Sequence, residues 1–178
     1  MNSPKGFASN QSQPSKQTKQ AKRSGRNLAP YVRTLPIVID AMLEAGNVTA
    51  TDYIYDLGCG DGRILLTAAQ RCGARGLGID LDPERIQEAK AAARQLGLIP
   101  HIRFKHQDLL KVDLSTATVV TLYLLPESNL RLRHKLQTEL KPGSRIITHS
   151  FDMGDWLPTR TAQVSDVINT YTIYVWEI

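Results

Sequence analysis

Acidic residues are missing from the first 27 positions of this 178-residue chain, which carry Lys5, Lys16, Lys19, Lys22, Arg23 and Arg26. The whole-chain charge of +5 therefore misleads as a global property. With those six of 22 basic residues set aside, residues 28–178 hold 16 basic against 17 acidic groups, a net −1. A groove that neutralises many phosphates carries its excess charge on the domain itself. The balance argues against a nucleic-acid platform. Cysteine is scarce too. Cys59 and Cys72 are too few for a disulfide framework and lack metal-ligand spacing, which fits a reducing, cytoplasmic compartment. The four histidines (His101, His106, His134, His149) include no His-x-x-x-His pair, so no metal site is expected. No apolar run approaches the ~20 residues of a membrane-spanning helix. Nothing resembles the apolar core of a secretory signal.

What is present suits one domain over residues 28–178, since a hydrophobic fraction of 42% can fill a sizeable core. Residues 1–27 are rich in Ser, Gln, Asn and Lys, with Phe7 as their one aromatic. Such a segment cannot bury enough apolar surface to offset its ordering entropy. A disordered basic tail is expected, spanning roughly 30 Å as a flexible coil. Solubilisation is the plainest role for it. Its acid-free, Ser-rich character also resembles an organellar import segment, although its few apolar residues form no amphipathic stripe. A weak anchor to acidic surfaces is a third reading.

The most informative stretch is Asp56-Leu57-Gly58-Cys59-Gly60-Asp61-Gly62. It lies between the strand-like Tyr53-Ile54-Tyr55 and the helix-like run that begins at Ile64. A glycine turn there lets a ligand approach the backbone and aims the helix's free N–H groups at an anionic group. That implies a nucleotide-like ligand with a carboxylate or phosphate. The dinucleotide fingerprint Gly-x-Gly-x-x-Gly is not met, because Arg63 stands where its third glycine belongs. Asp80 ends the next strand-like run, Gly76–Ile79, where an acid can accept both hydroxyls of a ribose. Asp82 before Pro83 and Glu84 is a helix cap, which leaves Asp80 free for that role. Asp108 follows a third strand-like run, Ile102–Phe104.

Periodicity predicts helices from Pro36 to Gly46, from Ile64 to Cys72, from Pro83 to Leu96 and from Pro126 to Leu140. Ile37, Val38, Ala41, Met42 and Ala45 mark the inner face of the first. Strands are predicted over 117–122, 145–148, 162–168 and 171–177, the last two joined by Asn169-Thr170. Alternating strands and helices imply an α/β fold with helices on both faces of a mostly parallel sheet. The closing β-hairpin implies one antiparallel strand.

The acid-x-Gly-x-Gly-x-Gly spacing resembles motif I of the class I S-adenosylmethionine (SAM) methyltransferases, and seven strands with that ending resemble their Rossmann-like, doubly wound fold. Three strings narrow the likeness: Pro30-Tyr31-Val32-Arg33-Thr34, Thr121-Leu122-Tyr123-Leu124-Leu125-Pro126-Glu127, and Leu140-Lys141-Pro142-Gly143-Ser144-Arg145 with Ser150-Phe151 and Asp155-Trp156 downstream. Together they resemble the protein-lysine methyltransferases that modify the c-ring protein of mitochondrial ATP synthase and the ADP/ATP carrier. Two features depart from those enzymes. The N-terminal segment is polar rather than apolar, and Arg33 stands where a proline or small residue is expected.

The resemblance implies SAM as cofactor, held by Asp56, Leu57, Gly58, Cys59, Gly60, Asp80, Leu81, Asp108 and Leu109, with Asp108 on the adenine amino group. It implies a protein substrate presenting a lysine, with Tyr123 as the catalytic residue and Tyr31, Tyr123, Glu127 and His149 on the acceptor side. No nucleic-acid partner is expected, and a monomer is. Other readings stand beside each residue. Tyr123 also fits a packed, half-buried ring, Glu127 a favourable first-turn acid, and His149 a hydrogen-bonded structural histidine. A lysine acceptor must be neutral, and lowering its pKa from ~10.4 to near 7.4 is worth about 4 kcal/mol. Burial beside a cationic sulfonium pushes that way, so no dedicated base is required. Methyl transfer to a small molecule or another acceptor, and SAM binding without turnover, are the alternative functions.

Overall fold

The computed structural model describes residues 32–178. Tyr31 and the tail expected over 1–27 lie outside the described residues. The elements run α1 (Pro36–Ala45), β1 (Tyr53–Leu57), α2 (Arg63–Cys72), β2 (Arg75–Asp80), α3 (Pro83–Gln95), β3 (Ile102–His106), β4 (Val119–Leu122), α4 (Pro126–Glu139), β5 (Arg145–His149), β6 (Arg160–Ser165) and β7 (Thr170–Glu177). A single 3₁₀ turn, Leu109–Lys111, lies between β3 and β4. The sheet order is β3-β2-β1-β4-β5-β7-β6. β1 to β5 pair in parallel, and β7 runs antiparallel to both β5 and β6. This is the expected α/β, Rossmann-like, seven-stranded sheet with a C-terminal antiparallel hairpin.

Successive strand residues serve opposite faces of the sheet. Ile54, Val119, Ile147 and Val175 pack with α1, α2 and α3. Tyr55, Val120, Ile146 and Trp176 pack with Leu132 and Leu136 of α4 and with the 109–117 connection. One detail corrects the expected face of the first helix. Val38, Ile39, Met42 and Leu43 are the buried residues of α1, and Ile37 is 42% exposed. Leu132 and Leu136 anchor α4, while Leu130 is half exposed.

The closing hairpin also departs from expectation. β6 ends at Ser165, and the turn occupies 166–169 rather than Asn169-Thr170. Asp166 makes that turn, accepting from the backbone N–H of Ile168 at 2.7 Å and Asn169 at 2.6 Å, and from the Tyr171 hydroxyl at 2.9 Å. An aspartate that bonds the backbone two residues on defines its own turn. Val167 and Ile168 look strand-like in sequence but stand exposed at the tip.

Candidate functional site

The strand order reverses between β1 and β4, and in open α/β sheets ligands bind beyond the carboxyl ends of the strands at such a reversal. A cleft lies there, with about 840 Å³ of empty space counted out to its open mouth. Asp56, Gly58, Cys59, Gly60, Asp80, Leu81, Leu109 and Tyr123 line it, as the sequence suggests. Val32, Arg33, Thr34, Asp61, Arg63, Ile64, Asp82, Arg85 and Leu124 complete the lining. The sequence singled out none of these nine as site residues. The strings around Arg33 and Tyr123 and the glycine loop itself were their signal.

The glycine loop is shaped by close packing. Gly58 and Gly62 have φ of +84° and +81°, a region that side chains rarely enter. A Cβ on Gly58 would meet Leu124 at 2.7 Å, and one on Gly62 would meet the Phe104 ring at 2.5 Å. The loop's N–H groups are less available than the sequence implies. Those of Gly58 and Cys59 donate to the Ile79 carbonyl at 2.8 and 3.0 Å, and that of Gly60 donates to Asp80 at 2.9 Å. The loop is bonded to β2, so carboxylates rather than a row of N–H groups face a ligand. Asp80 is correspondingly not free. Its second oxygen accepts from the Asp82 N–H at 2.9 Å. A carboxylate has about four acceptor positions, so two remain for hydroxyls. Asp82 caps α3 as expected, accepting from Glu84 N–H at 2.8 Å.

Asp56 is strongly perturbed by its burial in the cleft wall. It is 2% exposed, and one oxygen accepts from the Thr121 hydroxyl at 2.7 Å. The other oxygen, Oδ2, is buried with no hydrogen-bond partner among the described residues. Burial raises its pKa from 3.8 to about 7; the Thr121 bond opposes this, and Asp80 and Asp61 add to it. An unpaired carboxylate oxygen at a cleft wall fits a cationic donor such as the ammonium of an amino acid. Burial pushes the Cys59 thiol up as well. Its sulfur packs where a Cβ on Gly78 would stand, at 2.9 Å.

Tyr123 follows β4, lines the cleft and is partly exposed. His149, at the end of the adjacent strand β5, stacks against it with ring centroids 4.1 Å apart. Phe151 and Tyr171 extend the group, Phe151 at 6.3 Å from Tyr123 and Tyr171 at 5.6 Å from His149. Between His149 and Phe151, Ser150 takes a left-handed φ of +64°. His149 is 3% exposed, and neither ring nitrogen has a hydrogen-bond partner among the described residues. The hydrogen-bonded reading of this histidine is thereby corrected. Burial lowers its pKa from 6.5 to about 4, so the ring is neutral. It does not reach the cleft lining.

Other expected site residues stand aside. Leu57 is fully buried in the α4-side core. Asp108 caps the 3₁₀ turn, accepting from Leu110 N–H at 3.0 Å, and it is Leu109 that enters the cleft. Glu127 is exposed in the first turn of α4, outside the lining. Tyr31 lies outside the described residues.

Known proteins resemble this chain over the same region. The ANTKMT methyltransferase domain matches residues 56–160. A protein-lysine N-methyltransferase of Saccharolobus islandicus is 40% identical, over 84% of this chain and 93% of that one. The adenine nucleotide translocase lysine N-methyltransferase of Mus musculus is 38% identical over 59% of this chain and 46% of its own length. A solved structure described as an RNA methyltransferase from Salinibacter ruber, in complex with S-adenosyl-L-homocysteine, is 46% identical with a TM-score of 0.78, covering 83% of this chain and 94% of its own. An adenosyl ligand with an amino-acid arm suits the unpaired Asp56 oxygen and the remaining acceptor positions of Asp80. On these grounds the chain belongs to the ANTKMT methyltransferase domain family and is a SAM-dependent methyltransferase.

Proposed function

We propose that this enzyme methylates lysine side-chain amines of proteins. The observation that carries the reading is the 40% identity to a protein-lysine N-methyltransferase over nearly the whole described domain. Charge supports it. Residues 28–178 are net −1, a balance that suits a cationic side chain better than a phosphate backbone. The RNA substrate named for the Salinibacter protein supports a second reading, RNA methylation. That reading needs an excess of positive charge which residues 28–178 lack.

Asp56 would hold the ammonium of SAM, and Asp80 would hold its ribose hydroxyls while it fastens the glycine loop through Gly60. Asp108 caps the turn that brings Leu109 to the cleft wall, where it would pack on the adenine. Bound SAM supplies a methyl group already activated by its sulfonium. The protein's part is then alignment of the acceptor amine and exclusion of water, which do not require a dedicated base. Tyr123 aligns the amine. Its hydroxyl makes no hydrogen bond among the described residues, and its ring can face a cation.

The test offers labelled SAM with poly-L-lysine, poly-L-arginine or an RNA transcript, and locates label by mass spectrometry. Label on lysine Nε is the expected result, and label on RNA instead overturns the reading. Tyr123→Phe is expected to lower kcat at least tenfold with the SAM dissociation constant within twofold, because alignment acts in the transition state. Full turnover in that variant would reduce Tyr123 to a packing residue.

A further inference from the structure

His149 ends β5, and the chain turns at once. The Phe151 N–H donates to the His149 carbonyl at 2.8 Å, across the left-handed φ of +64° at Ser150. A three-residue γ-turn with positive φ is rare and strained. Such strain persists only where surrounding bonds over-determine it, and it gathers at functional sites. Those bonds are present. The Phe151 carbonyl accepts from the Thr148 hydroxyl at 2.6 Å and from Asn129 Nδ2 at 3.3 Å. Asn129 Nδ2 also reaches the Asp152 carbonyl at 3.2 Å. Thr148 and Asn129 are 0% and 1% exposed. The Ser150 N–H donates to the Thr172 carbonyl of β7 at 2.8 Å.

What the turn presents is the Phe151 ring. It is partly exposed and lies nearly parallel to the Tyr123 ring, at 14°, with centroids 6.3 Å apart. Packing alone does not call for a strained turn that leaves a ring part exposed. Phe151 lies outside the cleft lining, and β5 is one strand further from β2 than β4 is. By strand order its ring therefore stands beyond Tyr123 from the Asp80 end of the cleft.

We propose that Phe151 sets the length of acceptor the enzyme takes: its ring packs on the aliphatic stem of the target lysine while Tyr123 meets the amine. The inference rests on the lysine-acceptor reading given above. Lysine buries its four-carbon stem along apolar surface and keeps its head with polar groups. A ring already fixed by its turn adds no ordering cost when the stem binds. Thr148 and Asn129 act through Phe151 and are positioning residues. A stem one methylene shorter cannot cover the Phe151 ring and reach Tyr123 equally well. One methylene in an apolar site is worth roughly 10–200-fold in kcat/KM.

Initial rates with labelled SAM are measured on poly-L-lysine and on poly-L-ornithine, whose side chain is one methylene shorter. Wild type, Phe151→Ala and Phe151→Leu are compared. Wild type is expected to favour poly-L-lysine in kcat/KM by roughly tenfold or more. Phe151→Ala should narrow that preference to about threefold or less, chiefly through a higher KM for poly-L-lysine, with the SAM dissociation constant within about twofold of wild type. Phe151→Leu keeps an apolar side chain and should retain most of the preference. Equal losses on the two polymers in Phe151→Ala would mark a structural residue and overturn the inference. So would an unchanged preference in that variant, or a wild type that does not discriminate between the polymers. Each of these leaves the lysine reading standing. Label on neither polymer, with SAM binding seen by calorimetry, overturns the lysine reading and this inference with it.

Discussion

Asp56 holds a buried carboxylate oxygen with no partner among the described residues. The folded carboxyl titrates at about 7, and the reference value is 3.8. Below pH 3.8 both folded and unfolded chains hold the proton, and the group is neutral to stability. Between about 4 and 7 the unfolded chain has released a proton that the fold retains, so stability falls as pH rises through this window. About three pKa units correspond to a loss of about 4 kcal/mol above pH 7. Asparagine carries no charge and escapes this loss. Asp56→Asn without ligand is therefore expected to melt at a higher temperature than wild type at pH 8 and at nearly the same temperature at pH 4. SAM affinity should fall at least tenfold. Calorimetry at the two pH values checks both halves, and a lower melting temperature at pH 8 would show that ionised Asp56 is stabilised in the fold beyond its bond from Thr121. The sequence made Asp56 legible as the acid before the glycines. Its unpaired oxygen was not legible, because the Thr121 hydroxyl that takes the other oxygen lies 65 positions away. The same holds for His149, whose solitude depends on which rings surround it.

At the scale of elements, the turn from β1 into α2 is held by glycine for two separable reasons. Gly62 has a positive φ, and its missing Cβ admits Phe104 of β3 and Ala89 of α3, the latter at 3.0 Å. Gly143 shares the positive φ, +86°, and has nothing within 4 Å. A left-handed conformation costs a non-glycine residue roughly 1–2 kcal/mol. Gly143→Ala should lose no more than that. Gly62→Ala adds the clash and should lose at least about 2 kcal/mol, or roughly 4–8 °C in a domain of this length. Equal losses in thermal melts of the two variants would mean that Phe104 moves aside without strain. Element order and strand count were legible because caps and glycine stops punctuate the chain. The hairpin's register was not, since Val167 and Ile168 have strand-like side chains and Asp166 overrides them through its own backbone bonds. The cleft wall at Val32–Thr34 was visible only through family likeness. Nothing in its composition announces that Arg63, 29 positions on, will hold the Thr34 carbonyl.

For the whole molecule, charge separates two kinds of binding that a single assay would confuse. The first 27 residues carry six positive charges, and the rest of the chain is net −1. Phosphate binding releases counterions, and for a single strand the slope of log affinity against log salt is about −0.7 per neutralised charge. Six charges limit that slope to about −4. RNA binding by the full chain should be weak, independent of sequence, and no steeper than this with salt. Deleting residues 1–27 should abolish it. The same deletion stops five residues short of Val32, so it spares the described cleft wall. Melting temperature, SAM affinity and methyl transfer to poly-L-lysine should then stay within twofold of wild type or within a few degrees. Filter binding across a salt series, run beside the transfer assay on both proteins, reads the two quantities independently. RNA affinity that survives the deletion would place a phosphate-binding surface on the domain and favour RNA as acceptor. Loss of transfer to poly-L-lysine with SAM affinity intact would make the N-terminal segment part of the acceptor site itself.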